Sequence, residues 1–186
     1  DRAVAPEERS VELVEPVSVV DVKPEHAEVF AKENLRHAFT KAASEYLGQQ
    51  EGTDKEPNAK LEPIFRALHR RAGTSGAQDK SPWCAAFVSQ TLKDAGVKLP
   101  FHVSARKYLS VGTKVTEGQE REGDIAVMWN NEESTGGPSG WGGHAAFIIK
   151  QTENSVFVIS GNDDDGVRIN EFDRKRLLGV RRLKTN

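Results

Sequence analysis

Cysteine is almost absent from the 186-residue sequence, which contains only Cys84. A single cysteine excludes an internal disulfide and a multi-cysteine zinc site, so this thiol is either a buried packing residue or a reactive group. Long apolar runs are also missing, because stretches such as Ala145–Ile149 are far shorter than the ~20 residues that a membrane-spanning helix needs. The sequence therefore predicts no membrane span.

An excess of positive charge is missing as well. The 26 Lys and Arg residues are balanced by 28 Asp and Glu residues, which gives a formal net charge of −2. Binding to a phosphate backbone depends on a basic surplus, so nucleic acid is not predicted as a partner. Hydrophobic residues make up 37% of the chain and charged residues 29%, as in globular proteins. The length fits one domain, with or without a tail.

The pattern of the chain changes near residue 24. Residues 1–24 mix Val, Glu and Pro, which predicts an N-terminal arm or linker, with a short edge strand as the alternative. Residues 25–186 are predicted to form the folded domain. Apolar residues at steps of three and four predict a helix from Glu25 to Tyr46 that stops at Gly48. A second helix is predicted after Pro63, with Gly73 ending it.

The strongest helix-start pattern is Ser81-Pro82, an N-cap residue followed by a first-turn proline. It places Cys84 in the first turn of a helix that stops at Gly96. A short helix is expected at Ser104–Leu109. Four later segments have the patterns of strands, namely residues 124–129, 144–149, 155–160 and 179–183. Helices followed by strands predict an α+β fold, with helices packed on a small antiparallel sheet.

Cys84 is a candidate nucleophile because of its place at a helix start. The reactive form of cysteine is the thiolate, and a free thiol with a pKa of about 8.5 is mostly protonated at neutral pH. The unpaired N–H groups and the dipole at a helix N-terminus favour negative charge, and a nearby imidazole favours it further. A lone cysteine is otherwise a small core residue.

Among five histidines, His144 is the candidate base. It follows the glycine-rich stretch Gly140–Gly143 and precedes the apolar segment Ala145–Ile149, so it is expected at the start of a strand beside a permissive backbone. A histidine at a strand edge with no catalytic role is the alternative. The other four, which lie in predicted helices or a loop, are His26, His37, His69 and His102.

A third polar group would orient the imidazole by accepting its other N–H. Asn162 is the first candidate, since it ends the next predicted strand. A neighbouring Asp or a plain polar hairpin turn are the alternatives. Calcium is not predicted here, because Gly161 and Phe172 stand where the first and last ligands of an EF-type loop would be. Without a pattern of metal-ligand spacing, the sequence predicts no metal and no cofactor.

Several motifs together resemble the NlpC/P60 and CHAP group of papain-like cell-wall hydrolases, in particular a branch with the sequence Pro-Trp-Cys-Ala-Ala-Phe found in bacteria and phages. The motifs occur in order between about Ala42 and Leu183: Tyr46–Gly48 with Glu51, Pro82–Val88, Ser104–Arg106, Gly123–Val127, Ser139–Phe147, Gly161-Asn162 and Leu177–Arg182. One departure stands out, because the family turn Gly-Gly-Asn-Gln is Ser160–Asp163 here.

The resemblance implies a papain-like peptidoglycan amidase or endopeptidase with a triad of Cys84, His144 and Asn162. The substrate would be a peptidoglycan stem peptide, with Trp83 and Trp141 as candidate substrate contacts, whereas Trp129 is expected in the core. Such an enzyme would be a phage lysin or an antibacterial effector acting at the cell wall or in the periplasm. Since the sequence begins at Asp1 without a signal core, it is interpreted as a processed or excised chain without its targeting segment.

Two other classes of function remain open at this point. The same three residues could serve a cysteine protease, deamidase or transferase that acts on proteins. The fold could also be kept by a non-catalytic module that binds peptidoglycan. Neither the scissile bond nor an immunity or delivery partner follows from the sequence.

Overall fold

The computed structural model describes residues 31, 35–53, 55–73, 82–130 and 136–184. Three α-helices come first: α1 (Ala38–Ser44), α2 (Glu62–Ala72) and α3 (Cys84–Asp94). A 3-10 helix at Ala105–Ser110 leads into six strands. These are β1 (Thr113–Lys114), β2 (Ile125–Met128), β3 (His144–Gln151), β4 (Ser155–Asp163), β5 (Gly166–Asp173) and β6 (Leu177–Arg182). A second 3-10 helix, Arg174–Arg176, joins β5 to β6.

The six strands form one sheet in the order β1-β6-β2-β3-β4-β5, and every neighbouring pair is antiparallel. Strands β3, β4 and β5 follow one another as hairpins, while β6 crosses over to pair with β2. The predicted α+β fold, with helices packed on an antiparallel sheet, is confirmed. Of the helices, α3 lies closest to the middle of the sheet and contacts β3 and β4.

Alternating side chains on the strands bury both faces of the sheet. One face packs against the helices and forms a single large cluster with them; its strand residues include Ile125, Val127, Ala145, Phe147, Phe157, Ile159 and Val167. The other face forms a smaller cluster that includes Ala126, Met128, Ala146, Ile148, Val156, Val158 and Val180, partly covered by Phe172 and Leu177. On the helical side of the sheet, every residue of α3 from Cys84 to Leu92 is buried.

Two largely buried ion pairs connect the segment before β2 to the ends of β5 and β6. Asp124, just before β2, accepts two hydrogen bonds of 2.7 Å from the guanidinium of Arg182 at the end of β6. Glu120 pairs with Arg174 at 2.7 Å. Removing one partner of such a pair leaves a buried charge without compensation, so these residues of the Gly123–Val127 motif region serve the fold.

The predicted helix from Glu25 to Tyr46 is interrupted. Ala31 is helical, residues 35–37 are not, and a separate helix, α1, begins at Ala38. The cause is a competing set of hydrogen bonds: Glu122 Oε1 accepts the backbone N–H groups of Arg36 (2.8 Å) and His37 (2.9 Å). His37 then caps the helix, since its Nδ1 accepts from Phe39 N at 3.3 Å. The carboxylate of Glu122, which is distant in the sequence, therefore sets the start of α1.

Other predictions agree with the structure more closely. The second helix ends at Gly73, whose φ of 69° is left-handed. The helix of Cys84 begins two residues after Pro82, so Cys84 is its first residue. The four predicted strands correspond to β2, β3, β4 and β6, but strand β5 was not predicted. The arm 1–24, most of the segment from Glu25 and the predicted cap Ser81 lie outside the described residues. None of the helices described is long and apolar enough to cross a membrane.

Candidate active site

Cys84 is the first residue of α3 and is buried, with 4% of its surface exposed. Its Sγ lies 3.9 Å from the carbonyl oxygen of Gly143, the residue before β3. Burial raises the pKa of the Cys84 thiol, but the hydrogen bond and charge of His144 and the backbone N–H groups of Ala145 and Ala85 lower it more. The net pKa lies below the ordinary value, so the site favours the thiolate.

His144 opens β3 and is paired with Met128 of β2. Its neighbours Gly143 and Ala145 both touch the sulfur of Cys84, which places the imidazole beside the thiol. Burial lowers the pKa of His144, whereas the hydrogen bond and charge of Cys84 and the charge of Asp163 raise it. The net pKa lies above the ordinary value despite the opposing charge of Arg176. Cys84 and His144 are therefore suited to exist as a thiolate and imidazolium pair.

Two glycines allow this approach of helix and sheet. A Cβ at Gly161 of β4 would lie 2.4 Å from the indole of Trp83 and 2.8 Å from Phe87. At Gly143 it would lie 3.0 Å from the carbonyl oxygen of Met128. Gly161 requires the absence of a side chain because the start of α3 packs directly on the backbone of β4, whereas Gly143 is crowded by β2 and by the 3-10 helix that contains Arg106.

The third predicted residue, Asn162, lies where β4 departs from regular pairing. The register with β5 shifts between Ser160 and Asp163, and Asn162 is half-buried with a left-handed φ of 58°. Nε2 of His144 is buried and has no hydrogen-bond partner among the described residues. Asn162 therefore lies on the strand next to β3, and no hydrogen bond joins it to that nitrogen among the described residues.

Asp163, the next residue, has a fixed carboxylate. Its Oδ2 accepts hydrogen bonds from Ser160 Oγ at 3.2 Å and from Asn170 Nδ2 at 2.6 Å. The charge of Asp163 raises the pKa of His144, whereas burial lowers the pKa of Arg176 despite the nearby charges of Asp163 and Asp173. The Asp163 carboxylate thus favours the imidazolium, and which residue orients the ring stays a prediction.

An aromatic residue that the sequence did not single out covers the imidazole. The ring of Phe172 is stacked on His144, with centroids 5.5 Å apart and an angle of 28° between planes. The guanidinium of Arg176 lies over the same phenyl ring at 4.9 Å and over Trp129 at 5.8 Å. The alternation of Val167 and Ile169 with polar residues in the segment 166–173 has the period of a strand, but Phe172 is out of phase with these two residues and packs on the other face of the sheet.

A glycine-rich loop forms the approach to His144. The guanidinium of Arg106 donates to the carbonyl oxygens of Gly142 (2.8 Å), Pro138 (3.2 Å) and Gly137 (3.1 Å). Trp141 extends from this loop with 76% of its surface exposed, a high value for an indole. An exposed aromatic three residues before the candidate base is well placed to contact a ligand.

Two of the tryptophan predictions need correction. Trp83 is fully buried, packs against Phe65 and donates from Nε1 to Glu51 Oε2 at 2.8 Å, so it is a core residue and not a substrate contact. Trp129 is half-buried beside Arg176 at the margin of the site, although it was expected in the core. Its place one residue after β2, at the end of the sheet, explains the difference.

The other described histidines lie apart from Cys84: His37 caps α1, His69 stacks on Phe65, and His102 packs edge-on against Tyr108. In the part of the chain that the structure describes, no three His, Cys, Asp or Glu residues are grouped so that they could hold a metal ion. A groove rich in Arg and Lys lies elsewhere and is lined by residues of α2, α3 and the segment that follows α3. The candidate site described here is therefore the pair of Cys84 and His144.

No family model matches the chain, and no curated protein matches it. Among solved structures, the chain is similar to a Staphylococcus aureus subsp. aureus Mu50 protein described as similar to a lipoprotein of the NLP/P60 family. The two are 16% identical, with 89% of this chain and 63% of that chain covered and a TM-score of 0.40. This chain thus spans less than two thirds of the length of that neighbour.

Proposed function

We propose that the chain is a papain-like cysteine hydrolase that cleaves an amide bond of a peptidoglycan stem peptide. The observation that carries the proposal is the buried pair of Cys84 and His144 at the N-terminus of α3, in which the pKa of the thiol is lowered and that of the imidazole is raised. A structural cysteine needs neither shift. The motifs around Pro82–Val88 and Ser139–Phe147 supply the choice of peptidoglycan as substrate.

In the proposed reaction, the Cys84 thiolate attacks the carbonyl carbon of the amide. The C–N bond breaks as the His144 imidazolium donates its proton to the leaving amine, which leaves a thioester on Cys84. Neutral His144 then takes a proton from water, and the resulting hydroxide attacks the thioester. A carboxylate product leaves, and the thiolate and imidazolium pair is restored.

The developing oxyanion needs a donor near Cys84. As the first residue of α3, Cys84 has a backbone N–H that the helix itself does not use, and the helix dipole favours negative charge there. We assign this N–H as the first oxyanion donor. The same end of the helix thus stabilises both the thiolate and the oxyanion.

Asn162 is the proposed orienting residue. Its amide oxygen would accept the N–H of His144 Nε2, the buried nitrogen that has no other partner among the described residues. Catalytic hydrogen bonds are often long in the free enzyme and shorten when substrate binds, and the left-handed turn at Asn162 is a place where the backbone can adjust. Asp163 would stabilise the imidazolium by charge.

Trp141 is the proposed substrate contact, since its exposed indole can stack on a sugar ring or a peptide. A cell-wall substrate places the enzyme at the cell wall or in the periplasm. The proposed partner is therefore the stem peptide, and no cofactor enters the reaction.

The test is incubation of the full chain with purified sacculi, followed by mass spectrometry of the released fragments. We expect new amine and carboxyl ends at one stem-peptide bond, with none produced by Cys84→Ala. Binding to sacculi without cleavage would favour a non-catalytic module. Iodoacetamide-sensitive cleavage, deamidation or acyl transfer on protein substrates, with sacculi left intact, would favour an enzyme acting on proteins. Either result would overturn the proposal.

A further inference from the structure

The imidazole of His144 is held unusually for a residue that must keep one orientation. Nε2 of His144 is buried without a hydrogen-bond partner among the described residues. The side-chain hydrogen bond of the imidazole is the one with Cys84. A ring with one such bond is free to tilt about it. Because the proposed hydrogen bond to Asn162 forms only when substrate binds, another contact must fix the plane of the ring in the free chain.

Phe172 is placed to fix that plane. Its ring lies nearly parallel to the imidazole, at 28° and 5.5 Å between centroids. The contact covers one face of the imidazole, which limits rotation of the side chain about its bonds. Stacked aromatic rings attract each other beyond the effect of the area that they bury.

Arg176 fixes Phe172 in turn. Its guanidinium lies 4.9 Å from the centre of the phenyl ring, and its Nε and Nη2 donate to the carbonyl oxygen of Trp129 at 3.1 and 3.0 Å. The backbone N–H of Trp129 donates back to the carbonyl oxygen of Arg176 at 3.0 Å, and Trp129 Nε1 donates to Lys175 at 3.2 Å. The Arg176 guanidinium is thereby bound to Trp129 at the end of β2. It contacts the phenyl ring of Phe172, which in turn contacts His144.

We propose that Phe172, held in place by Arg176, is a positioning residue that keeps the imidazole of His144 in its productive orientation toward Cys84. The inference rests on the proposed function, because it assigns a role to the geometry of His144. Phe172 contacts the face of the imidazole and Arg176 contacts Phe172, so the effect of both residues is expected to act through the imidazole. The charged groups that act on that imidazole are Cys84 from α3, Asp163 from β4 and Arg176 from the turn before β6.

The experiment compares Phe172→Ala, Phe172→Tyr and Arg176→Gln in the full chain. Two rates are measured: alkylation of Cys84 by iodoacetamide at several pH values, and hydrolysis of sacculi with kcat separated from KM. Phe101→Ala is the matched control, because Phe101 is also half-buried but packs against the helical cluster. Thermal unfolding of each variant is recorded alongside.

For Phe172→Ala we expect kcat to fall by about ten- to a hundredfold with KM unchanged, and alkylation at neutral pH to fall several-fold toward that of an ordinary thiol. Phe172→Tyr keeps a stacked ring and should restore most of both rates. Arg176→Gln should show a smaller loss of kcat, and Phe101→Ala none. If Phe172→Ala does not fold, Phe172→Leu and Arg176→Gln carry the same comparison.

A folded Phe172→Ala or Phe172→Leu with the wild-type kcat and the wild-type alkylation profile would overturn the inference. Equal losses in Phe172→Ala and Phe101→Ala would also overturn it, since both would then reflect stability alone. Different results would overturn the proposed function. Cys84 would be alkylated at the same rate in the wild-type chain and in His144→Ala, or the wild-type chain would leave sacculi intact. The two failures are therefore distinguishable.

Discussion

Two regions act on His144, the side of the nucleophile and the side of the β4 turn, and they are built in different ways. On the first side, Cys84 is buried in the apolar cluster at the start of a helix and is contacted by Gly143, His144 and Ala145. On the second side, the end of β4 and the turn after it are polar, Asp163 acts on His144 by charge, and Asn162, Asp164 and Asp165 all have positive φ. Apolar packing defines the first side, and hydrogen bonds and charge define the second. We expect substitutions on the first side to remove activity and those on the second to modulate it.

The largest effect is expected for Cys84→Ala, which should reduce hydrolysis of sacculi below detection because no other thiol is present in the chain. The free energy of unfolding should change by only about 1 kcal/mol, since a single buried group of roughly methylene size is removed. Fragment release and thermal unfolding of the same preparation check both statements. Residual cleavage by the alanine variant would contradict the role of the thiol.

The next largest effect is expected for His144→Ala, at about a hundred- to ten-thousandfold in kcat, the usual contribution of a general acid and base. The wild-type enzyme should have a bell-shaped pH profile. Activity is lost as pH falls through the lowered pKa of Cys84, because the thiolate is protonated, and lost as pH rises through the raised pKa of His144, because the leaving amine has no proton donor. Because the titrations of Cys84 and His144 are coupled, the two limbs of the pH profile report pKa values of the pair and not of either residue alone. A single limb in the wild-type profile would argue against the ion pair.

A third comparison separates orientation from charge on the polar side. Asn162→Ala should lower kcat by roughly ten- to a thousandfold, about 1.4–4 kcal/mol, and leave the alkaline limb where it is, because an amide carries no charge. Asp163→Asn should cost only several-fold in rate but move the alkaline limb to lower pH, since the Asp163 carboxylate raises the pKa of His144. The check is the pH dependence of hydrolysis for both variants.

Asp164→Asn is the matched control for this pair. Asp164 belongs to the same turn, but its carboxylate is exposed and pairs with Arg168 at 3.1 Å. We expect a wild-type rate and profile. A large loss in Asp163→Asn together with a wild-type rate in Asn162→Ala would instead assign the orienting role to the carboxylate.

The contrast between the two sides also explains which features could be predicted from the sequence. The helix-start pattern Ser81-Pro82 places Cys84 in the first turn of a helix, and the glycine-rich stretch followed by apolar residues places His144 at a strand start. The turn side depends on a register shift after Ser160 and on left-handed residues, which no periodicity reveals. Strand β5 was not predicted because its pattern includes the polar residues Arg168, Asn170 and Glu171. Phe172, which lies in this strand, was therefore not singled out. The burial of Trp83 follows from its packing on Gly161, a contact between distant segments.

A smaller effect is expected from the loop that leads to His144. Arg106→Ala removes hydrogen bonds to Gly137, Pro138 and Gly142, so we expect the free energy of unfolding to fall by about 1–3 kcal/mol and kcat/KM to fall about tenfold. Lys107→Ala, at an exposed neighbouring position, should behave as wild type. Denaturant unfolding and hydrolysis of the two variants are compared. An Arg106→Ala variant with unchanged kcat/KM would mean that the loop does not position the site.

The smallest effect is expected for Trp141→Ala. The indole is 76% exposed and holds no part of the core, so the free energy of unfolding should not change. If the indole stacks on the substrate, its loss should raise KM several-fold, about 1 kcal/mol, and leave kcat unchanged because the reacting atoms are not touched. Trp141→Phe retains an aromatic face and should recover part of the affinity, which separates stacking from bulk. An unchanged KM in Trp141→Ala would remove Trp141 from the substrate contacts and leave the Cys84 and His144 pair without an assigned binding surface on this loop.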